Sequence, residues 1–225
     1  MQGLSRGGMG VRNAEGVSSE IPEVLPGFEH INHYWDPTRN AYGAKILPGE
    51  YYVTARNEMI ATVLGSCISA CIRDTVFGIG GMNHFMLPGN VSGDANNWGN
   101  SVVSESARYG NYAMEHLVNA ILKHGGSRNN LEVKIFGGGK ILAHATDVGR
   151  RNIEFVKNYI RVEGLKLAGE DTGDIFPRKV LYFPMTGKVM IKKLHAVHNN
   201  TIIERENAYV DQLKKEPVSG EVDLF

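Results

Sequence analysis

The first 25 or so residues are rich in glycine, serine and arginine with no apolar period, and this pattern predicts a disordered extension over residues 1–25. Aromatic residues punctuated by Pro and Gly follow (Phe28, Tyr34, Trp35, Pro37, Tyr42, Pro48, Gly49), so residues 26–45 read as an ordered strap over a domain. Glu50–Ala55 and Met59–Leu64 are short runs rich in β-branched and aromatic residues and read as strands. Ser66–Asp74 and Ile79–Met86 read as two more, joined at Asp74-Thr75-Val76-Phe77-Gly78, where Asp and Gly supply turn chemistry. Residues 87–104 are polar and long for a connection, which points to a functional loop. A helix is predicted from about Glu105 to His124, with Ala113, Leu117, Val118, Ile121 and Leu122 on one stripe and Gly125-Gly126 closing it. Leu131–Phe136 reads as a strand running into Gly137-Gly138-Gly139. A second helix spans about Arg150 to Val162, with Ile153, Val156 and Ile160 inward. Leu165–Ala168, Lys179–Phe183 and Val189–Leu194 read as strands, the last two joined by a hairpin at Pro184–Gly187. Residues 199–225 carry a short helical pattern and a polar tail. Strands and helices do not alternate strictly, so the fold class is α+β, with one domain over residues 26–198.

Composition narrows the function. Lys+Arg and Asp+Glu both number 24, so no electrostatic footprint for nucleic acid or an anionic membrane is present. No run is long and apolar enough to span a bilayer, and the N-terminal residues lack the apolar core of a secretory signal. With only two cysteines, the expected compartment is the cytoplasm, where thiols stay reduced.

The chemistry sits in the predicted hairpin. A symmetric turn sets Arg73 against Gly78, and counting outward along both strands brings Cys67 directly opposite His84. Opposed side chains on one face have Cβ atoms about 4.5–5.5 Å apart, within reach of a thiol–imidazole proton transfer. An imidazole base needs a third group to fix its orientation, and the Thr62 hydroxyl is the candidate. Gly65 and Ser66 allow close backbone approach, and their N–H groups with that of Cys67 are candidates for an oxyanion hole. Cys71 shares the face of Cys67 but opposes Gly80 rather than a base. Two cysteines in a strand are equally compatible with core packing, and the residues alone leave that alternative open.

Other signals are weaker. Gly137-Gly138-Gly139-Lys140 fails as a phosphate loop, because Ile141 stands where Ser/Thr belongs, and it reads as a backbone turn. His195 and His198 would face opposite sides of a strand, and no cluster completes a metal site, so neither metal nor cofactor is expected. Arg150-Arg151 at a helix start reads as a solvated pair or an acidic-surface contact. Trp98 reads as an aromatic pinning its loop or as a substrate contact.

Thr62-Val-Leu-Gly-Ser-Cys67, Ile-Ser-Ala-Cys-Ile-Arg-Asp74 and Gly80-Gly-Met-Asn-His-Phe-Met-Leu-Pro88 resemble the CheD family of chemoreceptor glutamine deamidases. Matches continue in order at Arg108-Tyr109, Phe136–Gly139, Val148–Asn152, Glu170–Gly173 and Arg178–Val180, covering roughly residues 45–195. The resemblance implies an α/β sandwich of packed sheets with flanking helices, like glutamine-deamidating toxin domains. It implies hydrolysis of selected glutamines on the cytoplasmic helical bundle of chemoreceptors to glutamate, with ammonia released. Cys67 would be the nucleophile, His84 the base and Thr62 the third member. Some relatives also bind a CheC-type phosphatase, so a binding module without chemistry is the alternative reading, and a cysteine amidase or transglutaminase acting elsewhere is another. One departure matters: Gly173-Asp174-Ile175-Phe176-Pro177-Arg178 lacks the family's usual second glycine and Gly-Arg pair. Proline restricts that loop, so a partner contact made there in relatives is not carried over. The first 45 or so residues exceed a minimal member, and no function is assigned to them.

Overall fold

A computed structural model describes residues 23–88, 100–141, 148–195 and 200–215. The first sheet holds β1 (Asn32–Asp36), β2 (Ala41–Lys45), β4 (Met59–Leu64), β9 (Arg178–Phe183) and β10 (Lys188–Lys193), side by side in that order. The second runs β3 (Tyr51–Thr54), β6 (Gly80–Asn83), β5 (Ile68–Asp74), β7 (Leu131–Gly137) and β8 (Lys166–Thr172). Each sheet is antiparallel except for one parallel pair, β2 with β4 and β7 with β8. Helices α1 (Asn100–Lys123) and α2 (Val148–Val162) pack on the second sheet, and α3 (Asn200–Lys215) is the last described element. The expected α+β sandwich is the observed architecture.

The apolar patterns explain the layers. In β4, Ile60 and Leu64 enter the main core, whereas Met59 and Ala61 pack with Leu181 in a small cluster under Tyr34 and Phe183. Period-2 alternation therefore puts Thr62 on the core face of the first sheet. β5 is central and covered on both sides, so Ile68 through Ile72 are all buried and the strand does not alternate. On α1, Met114, Leu117, Val118 and Ile121 form the buried stripe. That helix begins at Asn100, five residues ahead of its expected start, and takes up part of the segment read as loop. Trp98 and the rest of that segment, residues 89–99, lie outside the described residues, as does the expected disorder over residues 1–22.

Two expectations are corrected. Residues 26–45 do not lie over the domain as a strap: β1 and β2 are strands of the first sheet, with Gly43 paired to Met59. Ala44 of this segment and Ile46 just after it enter the core, and glycine at 43 leaves room for the Tyr34 ring, 2.8 Å from where a Cβ would stand. The β5–β6 register is also displaced by two residues. Arg73 faces Gly80 rather than Gly78, and Ile68 bridges Phe85. Asp74 is the reason: its Oδ1 accepts from Val76 N (2.7 Å) and Phe77 N (2.8 Å), and its own N–H donates to Ile79 O (2.8 Å). This Asx-type turn moves the centre of the hairpin one residue toward the C-terminus, from between Thr75 and Val76 to between Val76 and Phe77. Cys67 therefore does not sit directly opposite His84.

The Gly173–Arg178 loop is closed from within. The buried Arg178 guanidinium donates to the Asp171 carboxylate and to the Asp171 and Gly173 carbonyls, while Lys193 pairs with Asp174 at 2.7 Å. Lys140 of the glycine run donates its backbone N–H to Asp174 O at 2.8 Å, so the run is a structural turn.

Gly137 has φ +110°, and a Cβ there would fall 2.2 Å from the Cys67 carbonyl oxygen. Gly125 has φ +103° but open space around it. Gly137→Ala is therefore expected to lower stability by about 2–4 kcal/mol, from backbone strain plus the clash, and Gly125→Ala by about 1 kcal/mol. Urea denaturation midpoints of both variants measure the difference.

Candidate active site

Between β4 and β5 the chain crosses from the first sheet to the second through Gly65-Ser66-Cys67. All three carbonyls of this turn are tied down. Gly139 N donates to Gly65 O at 2.7 Å, Asn152 Nδ2 to Ser66 O at 2.8 Å, and Gly138 N to Cys67 O at 2.7 Å. Asn152 also accepts from Leu87 N at 2.9 Å, which clamps the turn to the chain just past His84. With the carbonyls held, the three N–H groups point to the same side of the turn. They meet a carboxylate: Glu206 Oε1 accepts from Gly65 N (3.0 Å) and Cys67 N (3.1 Å), and Oε2 from Ser66 N (3.0 Å) and the Ser66 hydroxyl. Gly65 is required here, because a Cβ would lie 2.0 Å from Ile141 Cδ1 and 2.8 Å from Glu206 Oε1.

His84 follows β6 and is held on both main-chain sides: its N–H donates to Glu50 O (2.9 Å), and its carbonyl accepts from Gly49 N (2.8 Å). The Thr62 hydroxyl donates to Ile46 O at 2.9 Å, so its lone pair accepts from His84 Nδ1–H at 2.8 Å. That assigns the proton to Nδ1 and the lone pair to Nε2. Nε2 is buried and has no hydrogen-bond partner among the described residues. Thr62 and His84 are thus brought together as expected. The Cys67 thiol, by contrast, lies beside the Glu206 carboxylate, whose Oε1 accepts from the Cys67 N–H. The two-residue register shift keeps Cys67 and His84 on faces of equal parity but makes them diagonal rather than opposed. A cavity of about 20 Å³, enough for one water, is lined by Thr62, His84, Ile202, Arg205 and Glu206 among others.

Burial sets the charge state. It pushes the Cys67 thiol well above its ordinary range, and the Glu206 carboxylate beside it adds to the effect. Burial also pushes His84 down to about 3, helped by the Arg205 charge. In this arrangement the pair is a neutral thiol and a neutral imidazole. Cys71 lies in the core near Tyr182, and burial raises it too.

Sequence reasoning missed Glu206, Arg205 and Asn152. Asn152 left a readable trace, as a polar residue on the buried face of α2 with Val156 and Ile160. Tyr109 of α1, part of the Arg108-Tyr109 match, hydrogen-bonds through its hydroxyl to that of Tyr209 of α3, which left none. Of the weaker signals, Arg150 pairs with Glu154 at 3.1 Å, and Arg151 donates to Pro88 O at 2.9 Å. The His195 ring packs edge-on against Phe176, and His198 lies outside the described residues.

A family model described as CheD chemotactic sensory transduction matches residues 86–193. A probable chemoreceptor glutamine deamidase CheD of Halorhodospira halophila is 57% identical over 205 residues, covering 91% of this chain and 94% of the relative. The chain belongs to the CheD family. Proteins carrying the same description from Hahella chejuensis (53% over 204 residues; 91% of this chain, 95% of the relative) and Methylobacillus flagellatus (58% over 196 residues; 86% and 95%) are similar over nearly their whole length. The family-model match begins past His84, so Thr62, Cys67 and His84 of this CheD-family chain stand outside it.

The buried neutral histidine makes stability depend on pH. Above pH 6.5, the ordinary value for His, folded and unfolded chains both leave His84 neutral. Below it only the unfolded chain takes the proton until pH nears about 3. Stability from this group is therefore present above pH 6.5 and is lost as pH falls. Between pH 7 and pH 5 the parent is expected to lose about 2 kcal/mol more than His84→Gln, read from denaturant midpoints at both pH values.

Proposed function

We propose that this chain hydrolyses glutamine side-chain amides of chemoreceptors to glutamate, with Cys67 as nucleophile, His84 as base and Thr62 as the group that orients the imidazole. The described relatives, named as probable chemoreceptor glutamine deamidases, support the substrate class. The observation that carries the chemistry is the convergence of three consecutive backbone N–H groups on one carboxylate beside a buried thiol, two of them on a single oxygen. Donors so fixed suit an oxyanion that forms only during reaction.

In the proposed sequence the amide carbonyl oxygen lies between the Gly65 and Cys67 N–H groups. His84 Nε2 takes the Sγ proton, and the thiolate adds to the amide carbon. The tetrahedral oxyanion collapses, the C–N bond breaks, and the imidazolium gives its proton to the leaving ammonia. A thioester remains. His84 then takes a proton from water, hydroxide adds to the thioester carbon, and the Cys67 thiolate leaves as glutamate forms. Thr62 holds the same ring nitrogen toward sulfur in both halves. The proposed place of action is the cytoplasm, on the helical part of a receptor. No helix among the described residues is long and apolar enough to cross a membrane.

Cys67→Ala is expected to abolish ammonia release from a chemoreceptor cytoplasmic fragment and the mass gain of about 1 Da per modified site. Cys71→Ala should keep most activity, and equal loss from both would mean a packing role instead. Thr62→Val, nearly isosteric, is expected to lower kcat by roughly 10–100-fold, part of the about 10²–10⁴-fold that a well-placed base contributes. Ammonia release at saturating substrate measures it.

A further inference from the structure

The donor cradle already holds a side chain of this chain. Glu206 reaches it from α3, and its two oxygens take three N–H groups and one hydroxyl of the Gly65–Cys67 turn. A carboxylate at the end of two methylenes is what hydrolysis of a glutamine side chain leaves behind. The seat extends along the helix. Ile202, one turn before Glu206, and Tyr209, one turn after it, are buried on the same face. Tyr209 packs on Gly49, where a Cβ would stand 3.1 Å from the ring, and bonds to Tyr109.

We propose that α3 is a product-mimicking helix lodged in the substrate seat, with Glu206 standing where a partner helix delivers its target glutamine, so that catalysis on a partner requires α3 to leave. The inference rests on the deamidase reading above. It specifies the partner as an α-helical segment with glutamine on the face that also carries an apolar residue one turn before and a large apolar or aromatic residue one turn after. An extended segment has a different side-chain period and does not reproduce the spacing of Ile202, Glu206 and Tyr209.

Chemistry, charge and access each support the assignment. The four donors suit two acceptor oxygens, whereas a glutamine amide would turn its NH₂ toward the Ser66 N–H. The resident carboxylate is thus seated more firmly than a substrate amide. Helix α3 also brings a negative charge to the thiol and a positive one, Arg205, to the imidazole. Both oppose moving the proton from Sγ to Nε2, and both depart with the helix. Finally, Cys67 is fully buried while α3 is in place, so no protein substrate reaches the sulfur.

Two full-length variants test this. In Glu206→Gln the seat presents a glutamine to Cys67, and the negative charge that opposes thiol ionisation is gone. Incubated alone and read by intact mass, this variant is expected to gain about 1 Da as the introduced amide is hydrolysed, or to lose about 17 Da where the thioester between Cys67 and the new side chain is trapped. Adding Cys67→Ala should prevent either change. In Glu206→Ala, alkylation of Cys67 by iodoacetamide is expected at least about tenfold faster than in the parent, with Cys71 still protected. Survival of the introduced amide in a Glu206→Gln preparation that deamidates a chemoreceptor cytoplasmic fragment overturns the seat assignment. A Cys67 alkylation rate in Glu206→Ala equal to the parent's overturns the occlusion. Should the receptor fragment remain unmodified by the parent and by Glu206→Ala alike, the deamidase reading fails, while the alkylation rates still decide whether α3 covers the thiol.

Discussion

The Thr62 hydroxyl has one proton, and it goes to the Ile46 carbonyl; what remains for His84 is a lone pair. That accounting places the imidazole proton on Nδ1 and leaves Nε2 able to accept one. Thr62 stands on β4 of the first sheet, and His84 follows β6 of the second, so this hydrogen bond also spans the seam between the sheets. The turn that carries Cys67 crosses the same seam. The candidate base and nucleophile therefore depend on how the two sheets are set against each other. Asn152 reinforces that setting by bonding to Ser66 on one side and Leu87 on the other. Proton inventory and sheet packing are coupled here through a few short polar contacts in an otherwise apolar layer.

Much of this was legible in the sequence where the signal is local. The strands and helices follow apolar periodicity, and the errors fall where periodicity is weak. β1 and β2 are short and aromatic, with a glycine in the middle of β2, and their membership in a sheet is decided by tertiary packing. The hairpin register departs from the symmetric count because Asp74 captures two amides with its side chain, a choice that turn residues alone do not settle. The slip is two residues, so the parity of every side chain survives; a slip of one would have reversed it. Glu206 was beyond reach for another reason. It lies 139–141 residues from the amides it binds, in a helix whose apolar pattern says only that one face is covered.

The resting charge state also departs from what a Cys–His pair suggests in isolation. Such a pair in a polar cleft tends toward thiolate and imidazolium. Here burial opposes both charges, and α3 adds one unfavourable neighbour to each group. A buried neutral thiol is a poor nucleophile, so the described arrangement is chemically quiet. Quietness on these terms is reversible, because its two electrostatic contributors sit on consecutive residues of one element, Arg205 and Glu206, and leave together.

The cradle itself explains why something must occupy it. Three N–H groups and a hydroxyl aimed at one buried point would each cost about 1–3 kcal/mol if left without an acceptor, and the fold holds their carbonyl sides so that they cannot turn away. A rigid oxyanion hole is thus unfavourable when empty and buried. Glu206 satisfies it in the state described, and in the proposed reaction the amide oxygen, and then the oxyanion, takes over one acceptor position. Opening is then an exchange of acceptors at the Gly65 and Cys67 N–H groups, and only the two Ser66 donors lose theirs. A second penalty is the loss of the apolar contacts of Ile202 and Tyr209, and a partner helix with matching side chains restores them. On this account the pre-set donors that favour the transition state also create the need for an internal occupant, and a side chain identical to the product is the occupant those donors hold best.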